Sequence, residues 1–140
     1  MKMILMGMNH ESAPVEVREL LAVDEPGPLL QKLVSSDEIE EAAIFSTCNR
    51  VEVLVLTRSL ENARHRLVSF FNRDLTRDDH SVEFELDYVT YEYRDGEAVS
   101  HVLRVASALD SMVIGKPQFM GQTKADNRLY VGSGDGWTIL

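Results

Sequence analysis

The sequence predicts an α+β fold: an antiparallel sheet with helices on one face, followed by a helical region. Three observations carry this. The order up to Arg94 is strand, helix, strand, strand, helix, strand, the pattern of split βαβ units. Val51, Val53 and Val55 alternate with Glu52, Leu54 and Leu56, the period of a strand with two distinct faces. From Asp95 onward the apolar spacing becomes helical.

In chain order, Met3 to Met8 is a short apolar strand ending at Asn9-His10. Ala13-Pro14 opens a helix, with Ser12 as its N-cap and Pro14 in the permissive first turn. Pro26, Gly27 and Pro28 interrupt it, and "PLLQKLVSS" resumes as a second helical segment. "EAAIFST" and "RVEVLVLT" are two strands flanking a turn that holds Cys48. "SLENARHRLVSFFNRD" is an amphipathic helix with Leu60, Ala63, Leu67, Phe70 and Phe71 on its apolar stripe. His65 falls among its charged residues, as a surface histidine does. "DYVTYEYR" is a strand by its aromatic and β-branched content.

"DGEAVSHVLRVASALDSMV" is a helix whose apolar side is Val99, Val102, Leu103, Val105 and Ala106. "KPQFMGQTKADNRLY" reads as a further helix beginning near Pro117. Gly132, Gly134 and Gly136 alternate near the end, but no helix follows to receive a phosphate at its N-terminus. That segment is expected to be a flexible tail, or a turn before a short terminal strand. The expected division is residues 1–94, carrying the cysteine motif, a helical subdomain at 95–130, and a glycine-rich tail at 131–140.

Composition narrows the function. The chain has 140 residues, 44% hydrophobic, enough for one domain with a real core. Its net charge is −9, which disfavours free-standing nucleic-acid binding. Arg58, Arg64, Arg66 and Arg73 are a local exception, read as the solvated face of an amphipathic helix. One cysteine excludes an internal disulfide, and no apolar run reaches membrane-spanning length, so the expected compartment is the cytoplasm.

Cys48 lies between Thr47 and Asn49-Arg50, and cationic, hydrogen-bonding neighbours favour a thiolate. It has no metal-ligand partner at C-x-x-C or C-x-H spacing. A nucleophile also needs a base, and His101 is the first candidate, His10 the second. On these residues alone a buried, inert thiol beside a strand stands as the alternative.

Three separated stretches, "GMNHESAPVEVRE", "STCNRVEV" and "HVLRVASALDSMVIGKPQFMGQTK", resemble the N-terminal catalytic domain of glutamyl-tRNA reductase. The resemblance covers the chain to about Lys124. It implies an α/β-plait (ferredoxin-like βαββαβ) followed by a small helical subdomain. It implies that Cys48 attacks the aminoacyl ester of glutamyl-tRNA, and that NADPH reduces the resulting thioester to glutamate-1-semialdehyde for tetrapyrrole (porphyrin) biosynthesis. Arg50 then matches the arginine that pairs with the glutamate carboxylate, and Thr47, Asn49 and Ser111 match pocket-lining residues. His101 matches the histidine near the reactive thiol.

Two departures bear on this. The family motif G-E-P-Q stands here as "GKPQ", with Lys116 reversing a charge. The family also continues into NADPH-binding and dimerisation domains, whereas this chain ends at Leu140. A fragment or truncated reductase is one expectation, with homodimerisation or association with a full-length reductase as its assembly. A regulatory homologue that binds the glutamate pocket's ligand or haem without reducing anything is the alternative.

Overall fold

A computed structural model of the chain describes residues 1–19, 26–47, 49–75, 89–115, 128–133 and 136–139. Cys48, Lys116 and Gly134 therefore lie outside the described residues, as does the segment 116–127 read above as the start of a helix. The backbone alone is described at 108–115, which includes Ser111.

The elements are β1 (Lys2–Asn9), α1 (Val15–Glu19), α2 (Pro26–Val34), β2 (Glu41–Ser46), β3 (Arg50–Thr57) and α3 (Leu60–Ser69). A π-helical turn (Phe70–Asp74) continues α3, and β4 (Tyr91–Arg94) and α4 (Gly96–Gly115) follow. The chain then forms β5 (Arg128–Ser133) and β6 (Gly136–Ile139). One six-stranded sheet has the order β4-β1-β3-β2-β5-β6, with every neighbouring pair antiparallel. The mixed α+β class with an antiparallel sheet is as expected.

Alternation along β1, β2 and β3 sorts their side chains onto two faces. Ile4, Met6, Met8, Ala42, Ile44, Val51, Val53 and Val55 point into one buried cluster. Leu30 and Leu33 of α2 and Ala63 and Leu67 of α3 close it from above, with Phe70, Phe71 and Leu75 at its end. Phe70 and Phe71 meet edge to face, ring centroids 6.1 Å apart, the arrangement that aromatic quadrupoles favour. Ser59 caps α3 by accepting from the Asn62 backbone N–H.

The second face of the sheet carries Leu5, Gly7, Glu52 and Leu54, and α4 packs there, opposite to α2 and α3. Asp95 ties α4 to the sheet. It takes the left-handed conformation (φ 47°), and its carboxylate accepts from the Met3 N–H while its own N–H donates to the Met3 carbonyl, both at 2.9 Å.

Three local expectations are corrected. The Ser12 hydroxyl, expected to cap α1, instead exchanges hydrogen bonds with the Asn9 backbone, at 2.9 Å and 3.4 Å. Helix α2 begins at Pro26 rather than at Pro28, because first-turn N–H groups have no intrahelical acceptor and proline loses nothing there. Helix was expected to run on through Tyr130, yet Arg128–Ser133 is strand. The aromatic and β-branched content of "RLYV" suits a sheet, and β2 offers it an edge to pair with. Of the two expectations for the terminal segment, the short terminal strand is present: Gly136–Ile139 is β6, paired with β5.

Three of the four arginines of the basic stretch are matched by acids: Arg58 with Glu40 (3.1 Å), Arg64 with Glu92 (2.9 Å) and Arg66 with Asp74 (3.0 Å). That agrees with a solvated, self-neutralised face. His65 is exposed, as expected.

Because Phe70 is wholly buried where helix layer and sheet meet, Phe70→Ala is expected to cost about 3–5 kcal/mol of stability. Val99→Ser, at a position 44% exposed, should stay within about 0.5 kcal/mol. Urea unfolding of the two variants beside wild type checks the contrast.

Candidate functional site

The turn between β2 and β3 is closed by its own polar residues. The Thr47 N–H donates to the Arg50 carbonyl at 2.9 Å. The Thr47 hydroxyl accepts from the N–H groups of Asn49 (3.1 Å) and Arg50 (3.2 Å). Threonine suits this position because its short side chain satisfies backbone donors that a tight turn leaves open. The Asn49 carbonyl accepts from the His10 N–H at 3.0 Å, which fastens the end of β1 to the same turn.

Leaving this turn, Arg50 and Glu52 are two residues apart on β3 and so share the sheet's second face. Glu52 is 3% exposed, an uncommon place for a carboxylate unless it is paired. Its Oε1 receives Arg50 Nη1 at 3.1 Å and His101 Nε2 at 2.6 Å, and the Tyr91 hydroxyl also donates to it. His101 comes from α4 and is itself buried. Tyr93 stacks on its ring, centroids 4.7 Å apart with 25° between the planes, and Tyr91 lies 5.5 Å away at a steeper tilt. Burial, followed by the hydrogen bond to Glu52, pushes the Tyr91 hydroxyl far above the ordinary phenol range, so it stays protonated as a donor.

A cavity of about 120 Å³ opens beside Glu52, between the sheet and α4. Leu5, Ala43, Phe45 and Leu54 form its floor; Val102, Val105 and Ala106 form its roof. These apolar walls keep water from the carboxylate and strengthen its bonds to its three partners.

Of the residues singled out in the sequence, Arg50 and His101 are brought together on one carboxylate oxygen. Thr47 and Asn49 sit in the adjoining turn, Asn49 exposed. Cys48 is next to them in sequence, two residues before Arg50, but lies outside the described residues. Ser111 is placed only as part of the α4 backbone. The side chain of His10, the second imidazole candidate, is 53% exposed and faces Glu11 at 3.8 Å. Glu52 and Tyr91 were missed. Glu52 reads in sequence as one more member of the Leu54-Leu56 face, and an acid on an apolar strand face is the signal that marks it. Tyr91 reads only as a strand former.

No group of three or more His, Cys, Asp or Glu able to hold a metal ion occurs among the described residues. NADPH, implied by the resemblance, needs a glycine-rich turn leading into a helix N-terminus. Gly132 and Gly136 instead lie in the paired strands of the β5-β6 hairpin, so these glycines do not fit that cofactor.

Comparison with known proteins identifies the family. The profile of the family described as glutamyl-tRNAGlu reductase, N-terminal domain, matches residues 6–134. The chain is 42% identical over 130 residues to "Glutamyl-tRNA reductase" of Pelobacter propionicus, covering 89% of this chain and 28% of that protein. It is 46% identical over 129 residues to "Glutamyl-tRNA reductase 2" of Koribacter versatilis, covering 89% and 27%. Among solved structures, glutamyl-tRNA reductase from Methanopyrus kandleri matches with a TM-score of 0.55 and 29% identity, over 88% of this chain and 26% of that one. The chain thus spans under a third of the length of the curated relatives it matches. It belongs to the glutamyl-tRNA reductase N-terminal domain family.

Proposed function

We propose that this chain performs the ester-cleaving half of glutamyl-tRNA reduction in tetrapyrrole biosynthesis. The Cys48 thiolate attacks the carbonyl carbon of glutamate esterified to tRNA. The carbon–sulfur bond forms, the carbon–oxygen bond to the tRNA ribose breaks, and the released hydroxyl takes up a proton. His101 accepts the thiol proton and returns it to the leaving oxygen. Thr47, Asn49 and Ser111 line the glutamate pocket. Arg50 meets the side-chain carboxylate of the substrate with the N–H groups of its fork that Glu52 does not hold.

The observation that carries this reading is the convergence of Arg50 and His101 on Glu52 Oε1, beside the turn whose sequence is Thr47-Cys48-Asn49-Arg50. Both help to satisfy the buried Glu52 carboxylate, and each has further nitrogens besides the one that meets Glu52. A site that must bind an anion and move a proton needs both, at fixed separation. The fold reading goes with it. Strand order β4-β1-β3-β2, in a chain that runs β1-α2-β2-β3-α3-β4, supports the α/β-plait. We place the protein in the cytoplasm, acting on glutamyl-tRNA, with a homodimer or a full-length reductase as its assembly. Reduction by NADPH falls to a nucleotide-binding unit that the residues described here do not form.

The isolated chain is expected to release tRNA from glutamyl-tRNA slowly, with water taking the thioester. Cys48→Ser should abolish the release, and NADPH should change nothing. Acid–urea gels of the tRNA together with an assay for semialdehyde decide it. Release that survives in Cys48→Ser removes the nucleophile, and semialdehyde made by the chain alone removes the division of labour. Binding instead of turnover, with haem or free glutamate as ligand, would point to a regulatory protein.

Arg50→Lys keeps the charge but loses the planar fork. It is expected to lower kcat/KM for release about tenfold to a hundredfold, mostly through KM, the usual range for a hydrogen bond to a charged group. An unchanged KM would sink the carboxylate clamp.

A further inference from the structure

Tyr91 and Glu52 belong to strands that do not touch. Between β4 and β3 runs β1, and the registers Gly7↔Tyr91 and Gly7↔Glu52 put Tyr91, Gly7 and Glu52 in one row across the sheet. At the usual strand spacing that row spans about 10 Å. Its middle position carries no side chain, and a Cβ built on Gly7 would lie 2.7 Å from Glu52 Cγ and 3.0 Å from the Val51 carbonyl oxygen. The Tyr91 phenol uses that gap to reach over β1 and donate to Glu52 Oε1.

What this contact does follows from counting protons. A guanidinium has donors only, and the half-buried Tyr91 hydroxyl is protonated and donates. An oxygen that accepts from both carries no hydrogen of its own. The imidazole nitrogen 2.6 Å from that oxygen must then carry a hydrogen. In a neutral imidazole a proton on Nε2 leaves the lone pair on Nδ1.

We propose that Tyr91 is a positioning residue for His101: by holding the Glu52 carboxylate across the Gly7 gap, it fixes the imidazole in its Nε2–H form, with Nδ1 as the basic nitrogen. Tyr93 has a different task. Its stacking sets the plane of the ring but does not choose which nitrogen bears the proton. The functional weight of the proposal rests on the reading that His101 takes the thiol proton, since the wrong tautomer would offer an N–H where a lone pair is needed.

The test uses the full chain labelled with ¹⁵N-histidine. Long-range proton–nitrogen spectra at neutral pH identify which ring nitrogen of His101 bears hydrogen. Wild type is expected to be Nε2–H. Tyr91→Phe, which removes one oxygen and keeps the ring, should give a mixture of the two forms. It should also lower kcat for tRNA release about tenfold at unchanged KM, because Tyr91 touches Glu52 and not the substrate. Val99→Ser, on the exposed side of α4, should leave the tautomer and kcat as in wild type. An Nδ1–H form in wild type overturns the proposal, as does a folded Tyr91→Phe that remains purely Nε2–H. Two outcomes separate this inference from the function it rests on. A tautomer that mixes in Tyr91→Phe while wild type shows no Cys48-dependent release upholds the positioning and refutes the ester cleavage. Normal release with an unmoved tautomer does the reverse.

Discussion

A buried carboxylate with three donors on one oxygen is the constraint around which this molecule is arranged. Taking a charge such as Glu52 out of water costs several kcal/mol, and the cost is met only where donors are already in place. Those donors come from three separate elements. Arg50 is on the same strand, Tyr91 is two strands away, and His101 is on a helix that starts after the sheet's edge. The fold must therefore bring β3, β4 and α4 together to within hydrogen-bond tolerance before Glu52 is satisfied. Removing one partner from such a buried set costs about 3–5 kcal/mol, which makes the polar cluster as demanding of the fold as an apolar core position.

The two faces of the sheet divide the work. One is closed by α2 and α3 over aliphatic side chains and the Phe70-Phe71 pair, and it supplies rigidity by ordinary burial. The other holds Glu52 and its donors, with α4 as cover. Alternation along a strand is what permits this: Val51, Val53 and Val55 anchor β3 in the core while Arg50 and Glu52, one residue out of phase, are presented on the far side. A strand held this firmly gives the charged residues a fixed backbone, which a loop would not. The hairpin turn then extends the same fixed strand to the position of Cys48 in the sequence.

How far the sequence disclosed this depends on range. Period-two alternation in "RVEVLVLT" and the apolar stripe of "SLENARHRLVSFF" are local signals, and the strand and helix they predict are present. Arg50 and His101 were legible as candidates because residue type and setting mark them singly. Their meeting on Glu52 was not legible, since 49 residues separate Glu52 from His101 and only the packing of α4 closes that distance. Tyr91 was hidden for a related reason. Its role depends on cross-strand register and on the absence of a side chain at Gly7, and neither is visible in the composition of "TYEYR". The β5-β6 hairpin shows the opposite failure. Helical spacing was carried past Arg128, where the pairing partner, the edge of β2, lies more than 80 residues earlier in the chain.

Among the described side chains of α4, the cover is only half used. Ala98, His101 and Val105 of α4 are turned to the sheet, while Val99, Val102 and Leu103 are 44%, 37% and 62% exposed. On a helix these two sets adjoin, so the apolar arc is about twice as wide as the contact it makes. Val102 and Ala106 mark the boundary, since they roof the cavity over Leu5, Ala43 and Leu54 while remaining open to solvent. His101 is therefore held from one side by hydrogen bonding and stacking, and only lightly from the other by packing. In such a helix the polar contacts set the orientation and the apolar ones add little to it. The imidazole stays aligned because Tyr93 lies flat against it and Glu52 fixes its Nε2, so the precision of the site comes from the sheet rather than from the helix that carries the histidine.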